Sequence, residues 1–196
     1  MTLYKRRKKF SGFSASVGKA FGRFGSANAY TVLALLAAFI AAYFLLVQNF
    51  ICAAVFFAAG AFLDAVDGAV ARYRKSASAR GAYFDTVSDR YMEGIIALVI
   101  LLVPLPPFYL PSYFWAALYL FGSMTVTYVK AAAKEKLNRE ISGGLLERPE
   151  RMIIVFIGIL LAYFNAAYLT YVLVLLAVLA NITALQRIRI AVKERL

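Results

Sequence analysis

Residues 50–104 read FICAAVFFAAGAFLDAVDGAVARYRKSASARGAYFDTVSDRYMEGIIALVILLVP. Two apolar runs, 50–72 and 82–104, flank a polar turn, YRKSASARG at 73–81. Each run reaches the roughly 20 mostly apolar residues that a helix needs to cross the hydrocarbon. The pattern repeats on both sides. Further segments of this kind lie near 29–48, 112–134, 152–167 and 169–190, which makes six expected spans with both termini on one side.

The whole chain agrees with this reading. Of its 196 residues 63% are hydrophobic, well above the roughly half found in soluble domains. Three of the connections, Gln48-Asn49, PLPPFYLPS at 104–112 and Asn165-Ala166-Ala167, carry no charge. All 22 Lys and Arg fall on the other side: seven before the first span, four from Arg72 to Arg80, Arg90 just inside the third span, six from Lys130 to Arg151, and four from Arg187 onward. By the positive-inside rule that face is cytoplasmic. The expected fold is an all-α integral protein of the cell membrane with six transmembrane helices, its active face toward the cytoplasm. Residues 1–28 are expected to form a basic juxtamembrane segment and 29–196 the six-helix membrane domain. Within the first segment Phe10, Phe13, Val17, Phe21 and Phe24 interleave with Lys8, Lys9, Lys19 and Arg23, as in an amphipathic helix lying on the inner headgroups.

Composition also removes whole classes of chemistry. There is no histidine, so Ser-His and Cys-His pairs and histidine zinc sites are excluded. The one cysteine, Cys52, allows no disulfide within the chain. Basic residues bordering apolar runs suit anionic lipid or phosphate-bearing substrates, and nucleic acid is not expected as a partner. Any acid-base or metal chemistry must rest on carboxylates.

The four aspartates are Asp64, Asp67, Asp85 and Asp89, all within 26 residues at the turn-side ends of two apolar helices. Steps of three and four residues put each pair on one helix face, and the short turn makes the helices neighbours, so four carboxylates are expected to face one another. An aspartate at mid-membrane costs about 2.5–3.5 kcal/mol on insertion scales, and like-charge repulsion adds to it. A cation must offset this. Oxygen ligands alone select a hard ion, Mg²⁺, Mn²⁺ or Ca²⁺. The competing reading is a buried salt-bridge network with Arg72, Arg74, Arg80 and Arg90. Against it stand Gly68 directly after Asp67 and Gly81 four residues before Asp85, where backbone could approach a ligand closely.

Taken together these residues spell D-x2-D-G-x2-A-R-x8-G-x3-D-x3-D, at Asp64, Asp67, Gly68, Ala71, Arg72, Gly81, Asp85 and Asp89. This resembles the signature of the CDP-alcohol phosphotransferases at all eight positions and both gaps. The likeness extends to the six spans, the surface helix and the placement of the signature from the second span into the third. One departure is local: Ser26-Ala27-Asn28 followed by Thr31 stands where the family often has Thr-Pro-Asn. The resemblance implies that Asp64, Asp67 and Asp85 hold two divalent ions, Mg²⁺ or alternatively Mn²⁺, with Asp89 near the metals as general base on the acceptor hydroxyl. Gly68, Ala71, Arg72 and Gly81, with Asp64 and Asp67, would line the CDP site. A two-metal clamp on the pyrophosphate and a carboxylate taking the attacking proton fit these residues, with no covalent nucleophile.

Lys130, Arg148, Arg151, Arg187 and Arg189 bear on the acceptor. They sit at three cytoplasmic helix ends; Arg148 and Arg151 can share a face, whereas at most one of Arg187 and Arg189 points inward. Cations on three helices suit a phosphate on the acceptor, and the positions are similar to the inositol-phosphate site of the branch that makes phosphatidylinositol phosphate or its archaeal ether-lipid counterpart. The leading expectation is transfer from a CDP-linked lipid, CDP-diacylglycerol or CDP-archaeol, to inositol phosphate with release of CMP. Glycerol phosphate, serine or another alcohol as acceptor, and CDP-inositol as donor, are the alternatives within the family. The partners expected are donor, small polar acceptor, bilayer and a second copy of the chain. A cation transporter would carry acidic residues at mid-depth in several spans, and the expectation is that none lie outside the two turn-side clusters.

Overall fold

The computed structural model describes residues 11–141 and 143–193. The basic run Lys5–Lys9 and Arg195 lie outside the described residues. The described residues form seven helices and no strand: α1 (Ser11–Phe21), α2 (Ala27–Leu46), α3 (Phe50–Tyr73), α4 (Ala79–Leu102), α5 (Ser112–Leu137), α6 (Arg148–Ala162) and α7 (Ala167–Lys193). Of these, α2, α3 and α7 are long and apolar enough to cross a membrane. The contacts separate into two units, one ending at Val99 and one beginning at Ile100.

Local chemistry sets the helix limits. Ser26 caps α2, its Oγ accepting from Ala29 N at 3.3 Å, and Asn49 caps α3, its Oδ1 accepting from Cys52 N at 3.1 Å. Between α2 and α3 the chain reverses through Val47 to Asn49, with Gln48 in the left-handed region at φ 55°. Two helices start earlier than apolar periodicity indicates. Ser78 takes the Gly81 amide at 3.1 Å, so α4 begins at Ala79 and Gly81 sits in its first turn instead of in the polar turn. Glu147 and Glu150 form a capping box, with Glu147 N donating to Glu150 at 3.0 Å, so α6 begins at Arg148 and takes in both Arg148 and Arg151. A first turn made of polar residues is invisible to a hydropathy window.

In the first unit α2 and α3 meet along small residues. Ala34, Ala37, Ala38, Ala41 and Ala42 of α2 are buried with Ala53, Ala54 and Gly60 of α3. A Cβ at Gly60 would lie 3.3 Å from the Ala34 carbonyl oxygen, so the backbones approach to the limit glycine allows. Helix α1 is seated on α3 in the same way, since a Cβ at Gly18 would lie 2.6 Å from Ala69 O. Tyr30 closes this corner, its hydroxyl donating to Phe21 O at 2.9 Å beside buried Val66 and Val70. Arg74 Nε donates to Gly22 O at 2.7 Å, a tie from the end of α3 to α1.

In the second unit α7 packs on α5 and α6. Gly122 of α5 makes room for Asn181, whose Nδ2 donates to Leu118 O at 3.0 Å, and Gly158 of α6 receives Val172 and Leu169 of α7. Outward-facing Leu33, Leu36, Phe39, Ile153, Ile157, Leu175 and Val178 are exposed. An apolar outside over helix contacts rich in alanine and glycine is the pattern of helices bathed in lipid.

Candidate active site

The sequence places Asp64 and Asp67 on one face of α3 and Asp85 near the start of α4, and the fold brings them together. One carboxylate oxygen from each of Asp64, Asp67 and Asp85 lies within 4.8 Å of the others. Asp67 is buried, and its Oδ2 accepts from Thr31 Oγ1 of α2 at 2.7 Å. The same hydroxyl lies 3.2 Å from Ala27 O. A threonine has one proton to give, and the shorter contact to an anionic acceptor is the stronger one. Thr31 thus fixes the direction in which Asp67 presents its second oxygen.

Around this cluster a cleft of about 330 Å³ opens, and its walls include Asp67, Gly68, Ala71, Arg72, Gly81 and Asp85 of the signature. Ser26, Ala27, Asn28 and Thr31 from around the start of α2, Ser76, Ala77 and Ser78 from the turn, and Ala82 of α4 complete it. Gly68 leaves space beside Arg72, whose Nη1 would lie 3.3 Å from a Cβ there, and Gly81 faces Ser78 Oγ. Its lining thus sets two carboxylates and one guanidinium among alanines, glycines and hydroxyls.

The gathered group contains three carboxylates where four were anticipated. Asp89, one turn beyond Asp85, lies 3.8 Å from Arg90 Nη2. Arg90 also donates through Nη1 to Glu93 at 3.2 Å, and Glu93 is buried at 3% exposure. This overturns the expectation that no acidic residue lies beyond the four aspartates on these helices. Glu93 was missed because it sits within the apolar run YMEGII, where one polar residue barely lowers the hydropathy. Thr31 was missed because its partner is 36 residues away in sequence; a hydroxyl in the first turn of a span that precedes an aspartate-bearing one was the available signal.

In the second unit Arg151, in the first turn of α6, is buried at 1% exposure, while Lys130 and Arg189 are exposed. Arg187 is buried and Arg189 is not, in keeping with a two-residue spacing that lets at most one of them point inward. Its Nε donates to Gly143 O at 2.9 Å and its Nη1 to Val126 O at 3.1 Å. Two of the five guanidinium N–H groups thus tie the loop before α6 to α5 and α7. Leu145 N to Gln186 Oε1 at 3.0 Å and Leu146 N to Thr183 Oγ1 at 3.1 Å stitch the same loop to α7. Gly143 and Gly144, at φ 103° and 117°, let it turn.

The three-carboxylate group suits a divalent cation. Its donors are all oxygen, they converge from two helices, and their mutual repulsion in a largely apolar setting is relieved by positive charge. Such a set selects hard ions over zinc.

Comparison with known proteins agrees with this geometry. A family model described as CDP-alcohol phosphatidyltransferase matches residues 24–183. The archaetidylinositol phosphate synthase of Pyrococcus horikoshii is 35% identical over 195 residues, 98% of this chain and 97% of that protein. The phosphatidylinositol phosphate synthase of Corynebacterium glutamicum is 32% identical over 151 residues, 76% of this chain and 68% of that one. Among solved structures, Mycobacterium tuberculosis phosphatidylinositol phosphate synthase with CDP-DAG bound superposes with a TM-score of 0.78 at 26% identity, covering 92% of this chain and 94% of that one. The same enzyme in complex with manganese and citrate gives a TM-score of 0.79 at 26% identity, covering 91% and 88%. With the eight-residue signature on α3 and α4 and the cleft it lines, the chain belongs to the CDP-alcohol phosphatidyltransferase family and is a transferase of phospholipid biosynthesis.

Proposed function

We propose that the chain transfers a phosphoalcohol group from a CDP-linked lipid, CDP-archaeol or CDP-diacylglycerol, to inositol phosphate, releasing CMP. The observation that carries the chemistry is the convergence of Asp64, Asp67 and Asp85, the last two of which line a cleft together with Gly68, Ala71, Arg72 and Gly81. Likeness along nearly the whole chain to an archaetidylinositol phosphate synthase supports the acceptor and the ether-lipid donor.

In this reading Asp64, Asp67 and Asp85, with Asp89 beside them, hold two divalent cations, Mg²⁺ or Mn²⁺. The ions, when bound, neutralise the donor pyrophosphate and the departing CMP. Gly68 and Gly81 let the nucleotide approach the backbone, and Arg72 supplies positive charge at the rim. The Asp89 carboxylate accepts the proton of the acceptor hydroxyl as its oxygen bonds to the lipid-bearing phosphorus and the bond from that phosphorus to CMP breaks. Lys130, Arg148, Arg151, Arg187 and Arg189 bind the acceptor's phosphate; of these, Arg187 contributes through the N–H groups that the Gly143 and Val126 carbonyls leave over.

Helices α2 to α7 would be six spans with both termini cytoplasmic, which puts all 22 basic side chains on the side where anionic lipid and nucleotide are found. Residues 1–28 form the juxtamembrane segment and 29–196 the catalytic domain, working as a homodimer. The deciding experiment incubates membranes containing the protein with CDP-archaeol or CDP-diacylglycerol, Mg²⁺ and a panel of inositol phosphate, inositol, glycerol phosphate and serine. Identification of the inositol phosphate lipid and CMP as products supports the reading. Turnover confined to another alcohol, or to CDP-inositol as donor, refutes the substrate assignment while leaving the family intact.

A further inference from the structure

Helix α3 is closed by a residue that its backbone does not favour. Ser76 N donates to Ala71 O at 3.1 Å and Lys75 N to Arg72 O at 3.2 Å, the two bonds of a Schellman closure, and Lys75 sits at φ 51°, where glycine is the usual occupant. Lysine is strained there and glycine would not be. What lysine adds is a charge, and that charge is one of a group. Lys19 in the last turn of α1, Arg23 just after it, Arg74 and Lys75 at the end of α3, and Arg80 in the first turn of α4 are all exposed. Two glycines bring the segments together: a Cβ at Gly18 would lie 2.6 Å from Ala69 O and one at Gly22 2.7 Å from the Tyr73 ring, while Arg74 Nε donates to Gly22 O at 2.7 Å. No acidic residue precedes Asp64 in the chain, and none lies between Gly68 and Phe84. The positive-inside preference accounts for the number of basic residues on this side, but not for a lysine kept at a glycine position.

We infer that Lys19, Arg23, Arg74, Lys75 and Arg80 form one docking surface for the headgroup phosphates of anionic bilayer lipids, and that its occupation favours donor binding in the adjoining cleft. The second half rests on the proposed reading of that cleft as the CDP-lipid site. Charge complementarity selects the phosphate, and a neighbouring ring selects the bilayer as its source: Phe24, directly after Arg23, is 86% exposed, and a bare aromatic beside basic side chains suits the boundary between headgroups and acyl chains. The surface borders the cleft along the chain. Ser76 follows Lys75, Gly81 follows Arg80, and Ser26 lies three residues after Arg23, and all three line the cleft. A phosphate shared between the end of α1 and the turn after α3 therefore draws together the stretches that supply Ser26 and Ser76 to the lining. The docked lipid is not consumed.

Docking is read without substrate. The full-length protein is reconstituted in phosphatidylcholine with a trace of spin-labelled phosphatidylglycerol or phosphatidylcholine, and the motionally restricted fraction gives the preference for the anionic lipid. A basic side chain at an anionic surface is worth a factor of about five, so wild type prefers phosphatidylglycerol by about fivefold or more. Lys75→Gly/Arg80→Gln lowers that preference at least about threefold, whereas Lys136→Gln/Lys193→Gln, which removes two exposed lysines of the second unit, leaves it nearly unchanged. Lys75→Gly alone melts at or above the wild-type temperature, because glycine suits the closure, so the lost preference is not lost folding. With roughly three in ten lipids phosphatidylglycerol, at saturating Mg²⁺ and inositol phosphate, the wild-type KM for CDP-archaeol falls about fivefold from its value in phosphatidylcholine, and the Lys75→Gly/Arg80→Gln value does not move. Equal association of both labels with wild type overturns the docking surface, as does a loss in the Lys136→Gln/Lys193→Gln protein as large as in Lys75→Gly/Arg80→Gln. A donor KM raised by Lys75→Gly/Arg80→Gln as much in pure phosphatidylcholine as in the mixture also overturns it, since these side chains would then hold the donor's own pyrophosphate. A wild-type donor KM indifferent to phosphatidylglycerol overturns the coupling to the cleft. Failure of wild type to turn over any CDP-lipid, with the lipid preference intact, refutes the donor reading and sustains the docking surface.

Discussion

Replacing Thr31 by valine removes one hydroxyl and almost no volume, which makes it a clean probe of how the carboxylate cluster is held. The Thr31 Oγ1 to Asp67 Oδ2 contact is 2.7 Å, buried, and made to a carboxylate that is ionised when it holds a metal ion. Hydrogen bonds of this kind contribute about 1.5–3 kcal/mol. The groups that orient ligating side chains typically change metal affinity or activity by about 10- to 100-fold, equivalent to roughly 1.4–2.7 kcal/mol, so the two estimates agree. Valine leaves a methyl against Oδ2, frees Asp67 to rotate and leaves it one donor short in an apolar surrounding. The expected result is a 10- to 100-fold rise in the Mg²⁺ concentration for half-maximal activity, with kcat at saturating Mg²⁺ within a few-fold of wild type. Thr31→Ser keeps the hydroxyl and stays near wild type. The assay is CMP release from CDP-archaeol over a Mg²⁺ titration, repeated with Mn²⁺. Identical metal dependence in Thr31→Val and wild type would show that the hydrogen bond does not orient a metal ligand, and the reasoning would fail.

Four further outcomes follow from the same geometry. Asp64→Asn and Asp85→Asn each abolish transfer, as does EDTA with no divalent ion restored; full activity in either variant or in the chelator is incompatible with a metal held by this cluster. Asp89→Asn retains CDP-donor binding by equilibrium dialysis while turnover drops by about 10²–10⁴-fold; a parallel loss of affinity would make Asp89 an essential ligand instead of a base. Lys130→Gln and Arg148→Gln raise the KM for inositol phosphate by roughly tenfold or more and leave the donor KM unchanged, because a phosphate remote from the reacting bond is held equally in ground and transition states; silence of both would remove the phosphate pocket. Tyr109→Cys in a Cys52→Ala background is labelled by an impermeant maleimide on intact cells while Ser76→Cys is not, and the reverse pattern would invert the proposed orientation.

How much of this was readable beforehand depends on where the information sits. The apolar runs of α2 and α3 were legible from hydropathy, α3 to within one residue and α2 displaced by two, because the caps Ser26 and Asn49 act through side-chain oxygens that a hydropathy window does not register. The starts of α4 and α6 were misplaced by three and four residues because Ser78 and the Glu147–Glu150 box extend each helix into residues that read as loop. Asp64, Asp67 and Asp85 could be paired from helical spacing and a short turn, which are short-range facts. What spacing could not supply was the long-range part. Thr31 meets Asp67 only after α2 and α3 have packed, and Arg187 reaches Gly143 and Val126 across 44 and 61 residues of sequence.

The tight reversal at Val47 to Asn49 bears on how the chain enters a membrane during synthesis. Helices α2 and α3 are joined with almost no slack, so they form a hairpin whose tip carries two amides and no charge. Asp64 lies fourteen residues beyond Phe50, which at 1.5 Å per residue is about 21 Å from the tip. Moving one ionised aspartate through the bilayer centre costs about 2.5–3.5 kcal/mol on insertion scales. A hairpin inserted tip first never moves one through. In the proposed orientation Asp64 and Asp67 would stay with the trailing end, and a cluster that would be among the hardest parts of the chain to translocate would be assembled without leaving the side on which it was made.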